Sequence, residues 1–302
     1  MRAMVLAAGM GTRLQPLTHL WPKCLMPVAN QPLLDITLKK LAKLGTVKTV
    51  VNTHYLAKQV TNYLQYQQTM TVDISHEPQL LGTGGALVKA AHLLGNAPFW
   101  HMNADIYCDA DLAQMSRLMR QNNPVAVLGL VNEPRFNSVA IDDTGRLLGV
   151  KGYLELPTGI PLYTYSGMAL LHPRLLEYLP AKGPSNLVDA WHMALKAGET
   201  ILCCQLDGLW SDLGTWQDLW QANYNLAQNH PVLAADSAQI SVQATVQGFC
   251  FASESCIIES GAFVKDSLLL PGARVNSGAK VEHAILGKDF IASGEYVNGA
   301  FA

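Results

Sequence analysis

The sequence has no excess of either charge: 21 Lys and Arg stand against 23 Asp and Glu, for a net charge of −2. Neither nucleic acid nor an anionic membrane surface therefore has an electrostatic claim on the chain. An anionic ligand would have to be held by local groups such as backbone N–H groups, single Lys or Arg side chains, or a metal. Cys24, Cys108, Cys203, Cys204, Cys250 and Cys256 form no C-x-x-C pair, and 302 residues far exceed a disulfide-stapled module. Free thiols in a reducing, cytoplasmic compartment are expected. There is no run of about 18 apolar residues, so no membrane span is expected. Met1–Ala8 is apolar but lacks a charged leader and runs into a glycine turn, which reads as a first strand and not as a signal peptide. His54, His76, His101, His172 and His192 show no H-x-x-x-H spacing, which argues against zinc. No G-x-S-x-G or paired Cys/His pattern suggests a covalent nucleophile.

What is present alternates. Met4–Ala7 is a compact apolar run of strand length, Val47–Asn52 and Thr71–Ser75 read as second and third strands, and Phe99–Asn103 and Val125–Leu130 are further buried-strand candidates. Between them, Leu34, Leu38 and Leu41 repeat at helical spacing, with Gly45 as a stop, and Leu87, Ala90, Ala91 and Leu94 form a second helical face. Strand–helix–strand alternation implies a mostly parallel α/β sheet covered on both faces, with ligands beyond the carboxyl ends of its strands. From about Ser237 the helical period vanishes. Apolar residues then recur six apart, as Ile258 and Val264; Leu269, Val275 and Val281; Ile285, Ile291 and Val297, with Gly261, Gly272, Gly278 and Gly294 between them. A six-residue period with small corner residues is the pattern of a parallel β-helix, here of roughly two to three coils. The boundary falls where Asn229, His230 and Pro231 interrupt the last helical stretch, giving domains of residues 1–231 and 232–302.

The densest chemical signal is Leu6-Ala7-Ala8-Gly9-Met10-Gly11-Thr12-Arg13-Leu14, followed by Pro22-Lys23. Glycines let the backbone pass close to a phosphate chain, and exposed N–H groups there form an anion nest. Arg13 can fork onto phosphate oxygens, and Lys23 offers a compact charge. No G-K-[ST] follows, so the loop is not a Walker A motif. Leu14 occupies the third position of G-x-G-x-x-G, which argues against a dinucleotide fold.

This string resembles the signature of the sugar-1-phosphate nucleotidyltransferases (NDP-sugar pyrophosphorylases), particularly those of the mannose-1-phosphate guanylyltransferase type with C-terminal hexapeptide repeats. The resemblance implies a Rossmann-like, mostly parallel nucleotidyltransferase sheet and a small C-terminal left-handed parallel β-helix. It also implies that a nucleoside triphosphate and a sugar 1-phosphate react to give an NDP-sugar and pyrophosphate. Ala8, Gly9, Gly11 and Thr12 would wrap the triphosphate, with Arg13, Lys23 and Asp105 catalytic. Leu81-Gly82-Thr83-Gly84-Gly85-Ala86 resembles the base-binding loop, assigning Gly82, Thr83 and Gly84 to the nucleotide. Just upstream, Glu77 would accept from a base, and a carboxylate suits the two adjacent donors of guanine better than the single one of uracil. Asn103-Ala104-Asp105 and Trp210-Ser211-Asp212 resemble motifs whose aspartates hold Mg²⁺, a cation that takes one or two carboxylates plus phosphates and water.

Tyr163-Thr164-Tyr165-Ser166-Gly167 resembles the strand lining the sugar pocket, so Asn103, Ser166 and Gly167 are candidate sugar-phosphate contacts. The chain departs from the pattern at the Glu-Lys pair many relatives carry before this strand. Lys151, in Val150-Lys151-Gly152-Tyr153, is either a substitute or a solvent-facing lysine. Trp210, Trp216 and Trp220 are expected in the core. Alternatives are a uridylyl- or thymidylyltransferase acting on a hexose or amino-sugar 1-phosphate, a non-catalytic nucleotide-sensing subunit, and an acyltransferase built on the repeats with His283. A homo-oligomer joined through the C-terminal repeats is a further expectation.

Overall fold

The computed structural model describes residues 1–153, 156, 158–227 and 231–302. The Asn229-His230 interruption expected between two domains lies outside the described residues. The chain forms two compact units. Met1–Ala8, Thr37–Ala57 and Thr61–Trp210 make the first, and Gly9–Ile36, Lys58–Val60 and Ser211–Ala302 make the second.

The first unit is built on a nine-stranded sheet. Thr71–His76, Lys48–Thr53, Arg2–Leu6 and Phe99–Asn103 lie side by side, all parallel. Met4, Val50, Val51 and Phe99 are buried. Burial on both faces is why the inner strands show no strict apolar–polar alternation, whereas the outer strand Thr71–His76 is mostly exposed or half-buried. The long strand Leu162–Leu171 runs antiparallel to Phe99–Asn103 and carries the sheet on to Ala126–Val131, which pairs in parallel with Ile201–Gln205. Helix Gly82–Leu94 turns Leu87, Ala90 and Leu94 into one core with Met4, Val50, Phe99, Leu171 and Trp191. The four parallel strands end along one edge of this α/β sheet, and the chain leaves the first of them at the glycine turn.

In the second unit, Val232–Ala234, Thr245–Ala252, Phe263–Leu269, Lys280–Leu286 and Glu295–Phe301 stack in parallel as one sheet. Gln239–Ile240, Ile257–Ile258, Arg274–Val275 and Ile291–Ala292 stack as another. A chain that alternates between two in-register parallel sheets is the pattern of a parallel β-helix. The stack starts at Val232, ahead of Ser237, so the four rungs of the shorter sheet exceed the two to three coils expected.

The strict hexad also needs correction. Ile240 and Ile258 face each other 18 residues apart, but Ile258, Val275 and Ala292 follow at intervals of 17. The short side is the one from Val264 to Leu269, and again from Val281 to Leu286, all four residues being buried. Asp266 and His283 bend these sides in the left-handed region, at φ 46° and 49°. The lost residue shifts the phase, so Ile291 is 58% exposed and Ala292 takes the core position instead. Trp220 is core, as expected: its ring packs on Phe249 and Tyr224, and its N–H donates to the Asp266 carbonyl. No helix among the described residues is long and apolar enough to cross a membrane.

Candidate active site

At the carboxyl edge of the first unit's sheet, a chain of directional hydrogen bonds ties three strand ends to a helix start. The Ala7 N–H donates to Asn52 Oδ1 (2.7 Å), Asn52 Nδ2 donates to Glu77 Oε1 (2.8 Å), and the Leu81 N–H donates to Glu77 Oε2 (3.0 Å). The Ala104 N–H donates to the Leu6 carbonyl (2.9 Å), setting Asp105, half-buried, just beyond the strand Phe99–Asn103. Glu77 is 1% exposed with both carboxylate oxygens engaged. Glu77, expected to accept from a base, braces the Leu81 backbone directly and the Ala7 backbone through Asn52. Asn52, which the sequence reading passed over, is the centre of the brace. Its signal was a fully polar amide ending a buried apolar strand, where burial demands partners.

The glycine-rich helix start, expected to cradle a base, packs against the segment 183–187. Gly82 sits at φ +69° with the Ser185 carbonyl 2.5 Å from where a Cβ would stand. A Cβ on Gly84 would meet Leu179 at 2.6 Å, and one on Gly85 the Gly183 carbonyl at 2.6 Å. The Gly84 N–H donates to the Ser185 carbonyl, while the Thr83 hydroxyl accepts from the Leu187 N–H and donates to Asn186 Oδ1. Gly84 and Thr83 are thus engaged in packing the 183–187 segment, which the absence of side chains lets approach. Of the three residues assigned to the nucleotide, Gly82 is the exposed one.

Among the expected sugar-phosphate residues, Ser166 is fully buried, its hydroxyl accepts from the Met168 N–H, and its carbonyl accepts from Trp210 Nε1. Gly167, at φ +79°, is buried in the irregularity of its strand and packs on Asn103, whose Oδ1 is buried without a partner among the described residues. Lys151 is exposed, as the solvent-facing alternative requires; its N–H donates to the Ser138 carbonyl.

The second unit gathers the charged part of the signature. Gly9 and Thr12 are exposed, and Ala8, which ends the first unit's opening segment, is buried. Gly11, at φ +64°, rests against Thr18 and Lys23; its carbonyl accepts from the Thr18 hydroxyl at 2.8 Å and from the Leu14 N–H. The φ and this close approach both require glycine. Lys23 Nζ lies 3.6 Å from Asp212 Oδ1, and Arg13 Nη2 lies 3.4 Å from Asp212 Oδ2. Lys23 is nearly buried (9% side-chain exposure), whereas Arg13 is 60% exposed. Gly214 lies against the guanidinium, with all three of its nearest atoms 2.8 Å from a notional Cβ. Thr18 and Gly214 had no role in the sequence reading; the structure sets Thr18 against Gly11 and Gly214 against Arg13. One carboxylate is thus shared by two cations, one nearly buried and one exposed.

A covalent cysteine route finds no support. All six cysteines are free and buried. Burial raises the thiol of Cys204 to about 11 and those of Cys250 and Cys256 to about 12, so none is a thiolate at neutral pH. Among the described residues, no group of three or more His, Cys, Asp or Glu is arranged to hold a metal. Asp212 offers hard oxygens of the kind that suit Mg²⁺.

The first unit is a mostly parallel α/β sheet, and the second holds a pair of cations around one carboxylate. The chain belongs to the nucleotidyl transferase family, whose model matches residues 2–229. Over 95% of its length it is 24% identical to the UTP–glucose-1-phosphate uridylyltransferase of Synechocystis, covering 88% of that protein. Over 99% of its length it is 26% identical to the mannose-1-phosphate guanylyltransferase catalytic subunit beta of Danio rerio, covering 95% of that protein. The UDP-glucose pyrophosphorylase structure from Acinetobacter baumanii superposes with a TM-score of 0.65 at 20% identity, over 76% of this chain and 94% of that one, and so shares its fold.

Proposed function

We propose that this sugar-1-phosphate nucleotidyltransferase uses GTP and mannose 1-phosphate, or a closely related sugar phosphate, and releases pyrophosphate. The observation that carries the chemistry is the Arg13–Asp212–Lys23 cluster beside Gly11. The choice of GTP and mannose rests on similarity to guanylyltransferases along nearly the whole chain, C-terminal strands included. A second reading, UTP with a hexose 1-phosphate, is favoured by the Synechocystis relative. A thymidylyl transfer belongs to the same alternative.

In the step itself, a phosphate oxygen of the sugar phosphate attacks the α-phosphorus of the nucleotide. The new P–O bond forms as the α–β bridging P–O bond breaks, and its electrons leave with pyrophosphate. A phosphate monoester has its second pKa near ~6, so the nucleophile is already dianionic at neutral pH and no general base is required. The difficulty is the meeting of two anions. Lys23, held nearly rigid by burial, supplies charge at the reacting phosphate, and Arg13 swings from Asp212 onto the departing phosphates. Exposed Gly9 and Thr12 contribute backbone N–H groups to the phosphate chain. We assign Asp105 and Asp212 as the carboxylates for Mg²⁺, which when bound supplies charge neutralisation to the phosphates. Asn103, through its unpartnered Oδ1, is the best remaining candidate for a sugar hydroxyl.

A non-catalytic sensing role would be marked by loss of the cations, and Arg13 and Lys23 are both kept. An acyltransferase role would need His283 available, whereas its ring packs on Trp220 with centroids 3.8 Å apart. We also place the enzyme in the cytoplasm, where its six thiols stay reduced, and propose self-association through the C-terminal strands; a monomer by light scattering would overturn the latter. The experiment for the main reading is pyrophosphate release with Mg²⁺ across a panel of nucleoside triphosphates and sugar 1-phosphates. GTP with mannose 1-phosphate should be the best pair. A preference for UTP selects the second reading, and silence from folded protein refutes both.

A further inference from the structure

The segment that carries Lys23 is gripped on both flanks by the C-terminal part of its own unit. Upstream, the Trp21 indole N–H donates to the Leu25 carbonyl at 2.9 Å, and the ring receives Lys288 Nζ at 5.6 Å from its centroid. Downstream, Pro27–Val28 and Gln31–Pro32 form a two-residue hairpin whose tip, Ala29 and Asn30, lies entirely at positive φ (48° and 58°). Two-residue hairpins of this kind favour Asn or Gly, so Ala29 there is held against its preference. The holders are visible. The Ala29 N–H donates to Asn223 Oδ1 (2.9 Å), and Asn223 Nδ2 donates to the Pro27 and Leu219 carbonyls. Asn223 is fully buried in the helix Trp216–Ala227. Asn30 Nδ2 donates to the carbonyls of Leu233 (2.7 Å) and Ala252 (3.0 Å), on adjacent strands at the head of the parallel stack. Between the grips runs a tight turn: the Met26 N–H donates to the Lys23 carbonyl, and the Leu33 N–H to the Met26 carbonyl.

We infer that this hairpin is a latch through which the C-terminal strand stack positions Lys23, with Asn30 as the positioning residue. The stack is then a working part of the phosphate loop and not an appendage to it. Positioning is worth this machinery because displacement of a reacting group by about 1 Å can cost on the order of 100-fold in rate. The inference rests on the nucleotidyl-transfer reading.

The test uses the full-length enzyme and its best substrate pair. Asn30→Gly keeps the positive φ without strain and removes only the amide that enters the stack. Its kcat should fall by about tenfold or more while KM for the nucleotide stays within about twofold, measured well below the unfolding temperature. In a Lys23→Ala background the same change should have no further effect on kcat, because the side chain it positions is gone. Loss of stability alone would lower kcat by the same factor in both backgrounds, and that result would overturn the proposal, as would an unchanged kcat in Asn30→Gly. Lys288→Gln, a surface change that frees Trp21, should lower kcat in the same direction. If Asn30→Gly does not fold, Lys288→Gln decides alone, and wild-type kcat there sinks the latch. An inactive wild type across the substrate panel is a failure of the functional reading; an active wild type with unresponsive variants is a failure of this one.

Discussion

Replacing Glu77 by glutamine separates two roles for one carboxylate. The hydrogen bonds around it have a fixed sense. The Ala7 N–H can only donate, so Asn52 must present Oδ1 to it and Nδ2 to Glu77, and the Leu81 N–H can likewise only donate. Glutamine keeps one acceptor and brings an NH₂ where the other oxygen stood, so one donor faces another inside a site that is 1% exposed. Flipping Asn52 only moves the conflict to Ala7. A buried donor left without an acceptor costs about 1–3 kcal/mol. For a unit of this size each kcal/mol lowers Tm by roughly 2–4 °C. Urea unfolding of Glu77→Gln should therefore show a lower midpoint at an unchanged slope, because the surface exposed on unfolding is the same. KM for the nucleotide should rise, since Ala7 opens into the glycine turn, while the order of preference among GTP, UTP and the other triphosphates stays as in wild type. A variant as stable as wild type within about 0.5 kcal/mol that alters the choice of base would refute the brace and restore Glu77 to the nucleobase.

Four further outcomes follow from the same geometry. Lys23→Ala should lower kcat by about 100-fold or more while leaving the fold intact by circular dichroism; near-normal turnover would remove Lys23 from the reaction. Gly214→Ala drives a methyl into the Arg13 guanidinium, which can swing into solvent, so stability should change by less than about 0.5 kcal/mol. Its kcat/KM should nevertheless fall about tenfold through the loss of a charge-assisted contact to phosphate, read by steady-state kinetics with pyrophosphate detection. Gly82→Ala meets both a left-handed φ and a fixed carbonyl, and should lose about 2 kcal/mol or more of unfolding free energy. His101 is buried with Nδ1 beside the Tyr165 hydroxyl, and burial lowers its pKa from 6.5 to about 4. The unfolded chain then binds the proton first, so stability is fully present above pH 6.5 and is lost as pH falls toward 4. His101→Leu should flatten the denaturation midpoint across that window, and an unaltered pH profile would count against the assignment.

The strands of the sheet were legible because buried parallel strands have no alternative pattern. Phe99–Asn103 is found where the sequence put it, and Met4–Ala7 is found as Arg2–Leu6, starting two residues earlier and ending one earlier. The C-terminal stack was legible in kind and not in phase. Five-residue sides at Asp266 and His283 break a hexad that Leu269, Val275 and Val281 appear to establish, and only the backbone shows where a side is short. Arg13, Lys23 and Asp212 were found by their resemblance to a family signature, although they lie far apart in sequence. What sequence could not provide was the partner of each polar group, because Asn223, Asn52 and Ser185 become partners only through long-range packing.

Glycine shows how one residue type can serve two ends. At Gly11, Gly82, Gly84 and Gly214 a Cβ would strike a neighbouring atom within 2.8 Å. At Gly82 and Gly84 the neighbours are Ser185, Leu179 and Asn186, which pack a helix start. At Gly11 the struck atom is on Thr18, with the Lys23 Cβ next at 3.2 Å, and at Gly214 it is on the Arg13 guanidinium. The same steric requirement serves folding in one place and chemistry in the other, so a glycine in a motif reports a close approach without saying to what. Carboxylates divide the same way: Glu77 is sealed among donors, while Asp212 faces two cations of which one is exposed. A candidate site residue is therefore distinguished less by its type than by whether solvent and ligand can reach its partners, which is the case for Arg13 beside Asp212.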